Sequence, residues 1–333
     1  MKTYRIAILG ATGAVGQEMI RVLEERNFPV ETLLPLASGR SAGATVTFRG
    51  ETIPVEEANE AAFAGMDIVL GAADNDTAIA MAPAIAKAGA IFIDNSSAFR
   101  MEPQVPLVVA EVNPQDIAKH QGIISNPNCT TIITLTAVNA LNNLSPIRSM
   151  VVSTYQAVSG AGAGGPVELL AQTEALAKGQ EYLPQVFPYQ IAYNLIPQIA
   201  PQQEYGYTAE EMKLHYEGRR IFHRQDLKVS CTCVRVPTLR SHSISACIRF
   251  DHPISVEQAR AAIAMAPGCK LVDDLDQLQY PMPLDTSGQD LIYVGRIRQD
   301  IVDANCLNLW CCGDQLRKGA ATNAVQIAEL LIK

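Results

Sequence analysis

Tyr4-Arg5-Ile6-Ala7-Ile8-Leu9-Gly10-Ala11-Thr12-Gly13-Ala14-Val15-Gly16 is the stretch from which the fold is read. A short apolar run ends on glycine, and Val15, Met19, Val22 and Leu23 then recur at helical spacing. The pattern predicts strand, tight turn, helix. Glycines at 10, 13 and 16 form a G-x-x-G-x-x-G variant of the dinucleotide fingerprint. Such a turn lets backbone approach a pyrophosphate, while the helix N-terminus offers unpaired N–H groups and a positive dipole end. Gly10, Thr12, Gly13, Ala14 and Val15 are therefore candidate cofactor contacts; the plainer alternative is a tight turn without a ligand.

Further apolar runs at 33–37, 67–72, 90–93, 107–110 and 122–125 alternate with helical patterns, among them 77–88. Near-continuous apolar strands in such alternation predict a parallel sheet covered on both faces, a Rossmann-type α/β domain. The second strand should end near Ser38-Gly39-Arg40-Ser41, where NAD enzymes often place an acid for the ribose 2′-OH. Here two serines flank an arginine. Ser38, Arg40 and Ser41 suit a 2′-phosphate, hence NADP over NAD, unless the arginine is merely a surface residue.

After residue 146 the pattern changes. A β-type run at 147–158 leads into a glycine-rich loop at 160–166, a helix at 167–177 and a long irregular stretch at 180–206. A polar helix at 207–223 and strands at 229–236, 241–250, 291–298 and 305–312 follow. The connector 237–240 is too short for a parallel crossover, so a mixed, largely antiparallel sheet in an α+β domain is expected. The last segment carries Leu316, Ala320, Ala324, Ile327, Ala328 and Leu331 on one helical stripe. At 333 residues the chain has room for about two domains.

Two local features carry chemistry. Ser125-Asn126-Pro127-Asn128-Cys129-Thr130-Thr131 closes an apolar run and enters a helix. Asn128 is a good N-cap residue, and Cys129 would lie in the first turn, where the dipole favours thiolate. The alternative is a small residue packing the helix start. If 229–236 and 241–250 form a hairpin with Val236 opposite Ser241, Arg235 faces His242, and Cys231 and Cys233 fall on the core face. Two cationic groups so placed read as an anion-binding, acid/base site, or as a hairpin end reaching solvent.

Composition excludes some classes. The net charge of −8 argues against nucleic acid as a partner. No stretch reaches the ~18 apolar residues of a membrane span. The N-terminus shows no secretory pattern, and eight cysteines without a Cys-x-x-Cys pair read as free thiols of a cytoplasmic protein. No metal site is visible, because no Cys/His pairs converge at ligand spacing.

Across essentially its whole length the chain resembles bacterial aspartate-semialdehyde dehydrogenase. The resemblance rests on GATGAVG (10–16), ASGRSAG (37–43), DNSSAFR (94–100), PLVVAEVN (106–113), SNPNCTT (125–131), VVSTYQAVSGAG (151–162), EEMK (210–213), TCVRVPTLRSHS (232–243), VGRIR (294–298) and QLRKGAA (315–321). It implies NADPH-dependent reduction of L-4-aspartyl phosphate to L-aspartate 4-semialdehyde and phosphate through a cysteine thioester. That reaction serves lysine, diaminopimelate, threonine, methionine and isoleucine biosynthesis. The implied catalytic residues are Cys129 as nucleophile, Gln156 as orienting group and His242 as general acid/base. Arg100, Asn128, Glu210, Lys213 and Arg235 would hold substrate and phosphate. Ser38, Arg40 and Ser41 would meet the 2′-phosphate, and Asn95, Ser159, Gly160 and Gln315 the nicotinamide half. The resemblance also implies a homodimer, an NADP-binding domain from 1–128 and 316–333, and a catalytic and dimerisation domain over 129–315. One stretch departs: Asp74 and Asp76 stand where many relatives carry hydroxyls, which would weaken NADP binding or shift cofactor preference. The competing readings are N-acetyl-γ-glutamyl-phosphate reductase, disfavoured by Asn128 and EEMK, glyceraldehyde-phosphate dehydrogenase, whose serine-rich cysteine motif is missing, and a non-catalytic paralogue, disfavoured by the presence of Cys129, Gln156 and His242.

Overall fold

The protein is represented by a computed structural model that describes residues 2–332. The chain forms two compact units, one running through Asn128 and resuming at Gly319, the other spanning Cys129–Lys318.

The first unit contains β1 (Tyr4–Leu9), α1 (Ala14–Glu25), β2 (Val30–Ala37), β3 (Thr45–Phe48), β4 (Glu51–Pro54), β5 (Glu56–Glu57), β6 (Ile68–Gly71), α2 (Asn75–Lys87), β7 (Ile91–Asp94) and β8 (Ile123–Ser125). Six strands form one parallel sheet in the order β5-β2-β1-β6-β7-β8. The alternation along β1 shows why its sequence is apolar throughout. Ile6 and Ile8 enter a core shared with Met19, Val22 and Leu23 of α1 and with Ala324, Val325 and Ile327 of the C-terminal helix Thr322–Leu331. Ala7 and Leu9 enter the opposite core with Ala78, Ala82 and Ile85 of α2. Burying one side chain such as Ile8 stabilises the fold by about 1.5–3 kcal/mol. Arg26 and Glu329 add a bidentate ion pair, both bonds 2.7 Å, between the end of α1 and the C-terminal helix.

The apolar run at 107–110 is not a strand. Only Leu107 makes a bridge, to Ser125. The Asn113 side chain accepts from the Val109 N–H and donates to the Leu107 carbonyl, so an amide takes the place of a strand partner. A β3–β4 hairpin, unread in the sequence, turns on Arg49 and Gly50, both at positive φ.

The second unit contains α3 (Cys129–Leu144), β9 (Ile147–Gln156), α4 (Gly164–Ala177), α5 (Ala209–Ile221), β10 (Lys228–Arg235), β11 (His242–Phe250), α6 (Val256–Ala264), β12 (Cys269–Leu271), β13 (Ile292–Gln299) and β14 (Cys306–Gly313). Its six strands run in the order β10-β9-β11-β14-β13-β12. The β10–β9 and β12–β13 pairs are parallel and the rest antiparallel. The expected hairpin of β10 with β11 does not form. β9 lies between them, with Arg235 beside Gln156 and Ser243 beside Tyr155. Alternation fixes which face a residue takes, not which strand is its neighbour. That is why Cys231 and Cys233 are buried as expected although their partner strand differs. The glycine-rich segment is also shorter than its composition suggests, because α4 already begins at Gly164. α5 starts with a reciprocal capping box between Thr208 and Glu211.

Candidate active site

In the first unit the glycine turn is built for close approach. Gly10 has φ +91°, and a Cβ there would stand 2.6 Å from the Ala72 carbonyl oxygen. A Cβ on Gly16 would press into the Gly10 carbonyl, so α1 seats on the strand end only with glycine there. Gly13 is the N-cap of α1, and no side chain caps it. Thr12 is exposed, and Ala14 and Val15 are half-buried in the first turn. A bare helix N-terminus behind a glycine cradle fits a pyrophosphate. At the end of β2, Ser38 and Arg40 are exposed, and the Ser41 N–H closes a turn on the Ser38 carbonyl at 2.8 Å.

Asp74 serves its own helix. Its carboxylate caps α2 by accepting from the Thr77 N–H at 2.9 Å, and that bond holds it below the usual carboxylate range. Asn95 donates to the Gly71 carbonyl at 3.0 Å. Arg100 is buried; its Nε donates to the Asn126 carbonyl at 3.0 Å and its Nη2 to the Asn95 carbonyl at 2.7 Å. Burial pushes the neighbouring Asp94 carboxyl up, against the pull of its bonds from Ser96. Asn128, also buried, ends this unit's first segment.

In the second unit Cys129 is the first residue of α3 and half-buried. Gln156 ends β9 and is buried; its Nε2 lies within hydrogen-bond reach of Thr130 Oγ1 (3.1 Å), Thr154 Oγ1 (3.3 Å) and Glu210 Oε1 (3.2 Å). The other Glu210 oxygen accepts from Lys213 Nζ at 2.8 Å, one turn along α5. Arg235 donates from Nη1 to the Ala157 carbonyl at 2.7 Å, and the Ala157 N–H donates to His242 Nδ1 at 3.1 Å. Thus Arg235 and His242 converge on Ala157, at the end of the strand that separates theirs.

Burial lowers the Arg235 pKa, while the charges of Glu210 and Cys129 oppose the shift, so guanidinium, carboxylate and thiol share one field. His242 is fully buried, and its pKa falls to about 3, first through burial and then through Arg235. Among the described residues its Nε2 has no hydrogen-bond partner. Gly160 packs closely against this pair: a Cβ there would lie 2.7 Å from Arg235 Nη1 and 3.2 Å from His242 Nε2. Gln315 donates to Ser159 Oγ and accepts from the Ser241 N–H, steadying a left-handed residue (φ 71°) just before His242.

The structure thus gathers Cys129, Gln156, Glu210, Lys213, Arg235 and His242 within the second unit, with Ser159, Gly160 and Gln315 around them. Gly10 through Val15, Ser38, Arg40, Ser41, Asn95, Arg100 and Asn128 belong to the first. Sequence reading passed over Thr130, Thr154 and Ala157. The i, i+2 spacing of Thr154 and Gln156 on β9 was a usable signal for one of them; a backbone donor such as Ala157 leaves none. Burial makes several of the other thiols poor nucleophiles. Burial pushes Cys306 up to about 12 and Cys312 to about 11, and raises Cys311 as well; Cys231 and Cys233 lie sulfur to sulfur at 3.7 Å in the core.

Comparison with known proteins agrees in both halves. Residues 5–120 match the semialdehyde dehydrogenase NAD binding domain, and residues 138–318 the semialdehyde dehydrogenase dimerisation domain. The chain is 52% identical to an aspartate-semialdehyde dehydrogenase of Synechocystis over 99% of its length and 97% of that protein's. It is 50% identical to one of Aquifex aeolicus, covering 99% and 98% of the two chains. The crystal structure of aspartate semialdehyde dehydrogenase II from Vibrio cholerae, complexed with ASA, superimposes with a TM-score of 0.97 at 42% identity, over 100% of this chain and 99% of that one.

Proposed function

Because the chain belongs to the aspartate-semialdehyde dehydrogenase family, we propose that it interconverts L-4-aspartyl phosphate and L-aspartate 4-semialdehyde with NADP(H) as cofactor. The observation that carries this reading is the arrangement at the end of β9, where one half-buried cysteine, a buried amide, a carboxylate, a guanidinium and an imidazole meet.

Cys129 supplies the thiolate. An aldehyde has no leaving group except hydride, so thiolate addition is what makes oxidation feasible. Cys129 holds the acyl group as a thioester, whose energy phosphate can take up as acyl phosphate. The α3 N-terminus and the nearby Arg235 favour the charged sulfur. Gln156, held toward Thr130 and Glu210, orients the reacting carbonyl, and His242 serves the carbonyl oxygen. Glu210 suits the substrate ammonium, and Arg235 its carboxylate, through charge-assisted hydrogen bonds. Lys213, Arg100 and Asn128 complete the substrate and phosphate contacts. Gly10–Gly16 would hold the pyrophosphate, Ser38, Arg40 and Ser41 the 2′-phosphate, and Asn95, Ser159, Gly160 and Gln315 the nicotinamide half. When bound, the nicotinamide takes or gives the hydride.

The unit through Asn128 is thus the NADP-binding domain, and the remainder the catalytic and dimerisation domain of a cytoplasmic homodimer. Among the described residues no helix is long and apolar enough to cross a membrane. The purified protein should reduce NADP in the presence of aspartate semialdehyde and phosphate, followed by absorbance of the reduced nicotinamide. Cofactor binding without turnover would refute the reading. Cys129→Ala should keep NADP affinity and abolish turnover; retained turnover would remove Cys129 as the nucleophile.

A further inference from the structure

We propose that Glu211 is a positioning residue for substrate recognition: its carboxylate ties the start of α5 to β10 and so sets the spacing between Glu210 and Arg235, the pair assigned above to the substrate ammonium and carboxylate. The inference rests on that reaction and names the group that holds its recognition pair in register.

β10 stands at the edge of its sheet, with β9 as its one neighbouring strand. Alternate residues of an edge strand turn N–H and C=O groups away from the sheet, and such groups need partners when buried. Side chains of α5 supply three of them. Glu211 Oε1 accepts from the Cys233 N–H at 2.9 Å. His215 Nδ1 donates to the Val229 carbonyl at 3.1 Å, and Arg219 Nε to the Leu227 carbonyl at 2.8 Å. Residues 211, 215 and 219 lie a turn apart on one stripe of the helix. The Ile196 main chain closes the end of the strand, exchanging bonds of 3.0 and 2.9 Å with Arg235.

Glu211 is the member of this stripe that stands next to both recognition groups. It follows Glu210 directly on α5, and its bond reaches β10 two residues before Arg235. Its other oxygen accepts from the Thr208 N–H at 2.7 Å within the capping box. One buried carboxylate thus fixes the first turn of α5 against the end of β10. From that turn Glu210 reaches Gln156 at 3.2 Å and Lys213 at 2.8 Å. Aspartate semialdehyde carries its ammonium and carboxylate on one carbon, so the two protein groups that take them must keep one separation. A misplacement of about 1 Å in such a pair can cost as much as about 10²-fold in rate. Glutamine has the shape of Glu211 but one acceptor and one donor end. Its oxygen can serve the Thr208 N–H or the Cys233 N–H, and its NH2 then faces the other.

The test compares Glu211→Gln with Thr208→Ala in the full chain. Thr208→Ala removes the capping hydroxyl and leaves the bond between Cys233 and Glu211 in place. Both variants should unfold at lower urea than wild type. What separates them is discrimination between aspartate semialdehyde and succinate semialdehyde, the same aldehyde without the ammonium group, read as the ratio of kcat/KM. Glu211→Gln should raise the aspartate semialdehyde KM and lower that ratio, each by about tenfold, with NADP affinity unchanged. Thr208→Ala should keep both at wild-type values. A wild-type ratio in Glu211→Gln, or equal loss in both variants, overturns the proposal. Should Glu211→Gln fail to fold, amide exchange in wild type decides: the Cys233 N–H should exchange as slowly as the paired N–H groups of β11, and exchange at the rate of an open edge refutes the tie. Absence of turnover in wild type is the separate result that removes the reaction itself, and this role with it.

Discussion

Gly160→Ala adds one methyl group at the point where the guanidinium and the imidazole meet. No left-handed φ is needed at Gly160, so the backbone accepts alanine and the perturbation is confined to contact. The new Cβ would lie 2.7 Å from Arg235 Nη1, and ordinary contact begins at 3.4 Å, so the guanidinium must retreat by about 0.7 Å. Its bond to the Ala157 carbonyl, 2.7 Å at present, then lengthens past the useful range. A charge-assisted hydrogen bond is worth about 1.5–3 kcal/mol. If substrate binding in the transition state relies on that guanidinium position, kcat/KM should fall about 10–100-fold. Initial rates at varied semialdehyde, with a cofactor titration alongside, measure this. The semialdehyde KM should rise more than the NADP dissociation constant. Unchanged kinetics would show that the Arg235 position is not used; loss of cofactor binding alone would move Gly160 to a purely nucleotide-binding role.

Gly16→Ala should destabilise the first unit by about 3 kcal/mol or more, because backbone rather than a flexible side chain blocks the new Cβ; a wild-type denaturation midpoint would refute the close-approach argument. Arg40→Ala should weaken NADP roughly tenfold and leave NAD nearly unchanged, the loss of one exposed charge–phosphate contact; equal effects on both cofactors would remove Arg40 from the 2′-phosphate. Asp74→Ala deletes the cap of α2 and should cost about 0.5–1 kcal/mol at neutral pH. The folded Asp74 carboxyl titrates below its ordinary value, so its ionic contribution is present above that value and lost as pH falls through the folded one. The gap between variant and wild type should therefore narrow in acid; a constant gap from neutral pH into strong acid would show that charge plays no part.

Local periodicity made much of the molecule legible. β1, its turn and α1 follow from residues 4–23, because chemistry and geometry there are contiguous in sequence. Cys129 at a helix start was readable for the same reason. Strand neighbours were not. β9 inserts between β10 and β11 although it precedes both, and nothing in the alternation of Arg235 or His242 reports a third strand. The apolar run at 107–110 misled because burial, not pairing, explains its composition: Val108 and Val109 are fully buried outside any strand. α6 and β12 were passed over because they are short, with only Ala259 and Ile263 of the helix buried. The capping role of Asp74 was not legible either, because a cap and a surface acid are spelled alike.

Ala157 has no functional side chain, yet the peptide groups on its two sides reach two side chains of the site, its carbonyl taking Arg235 and its N–H reaching His242. The separation of guanidinium and imidazole is thus set by a fixed length of main chain rather than by two independent rotamers. A rotation at this one residue would move the guanidinium and the imidazole together. A redesign that shifted the main chain to make room near Arg235 alone would displace the His242 ring as well. Lengthening or re-angling the end of β9 moves both as a unit, and so offers a route by which substrate size can change while the chemical step is kept.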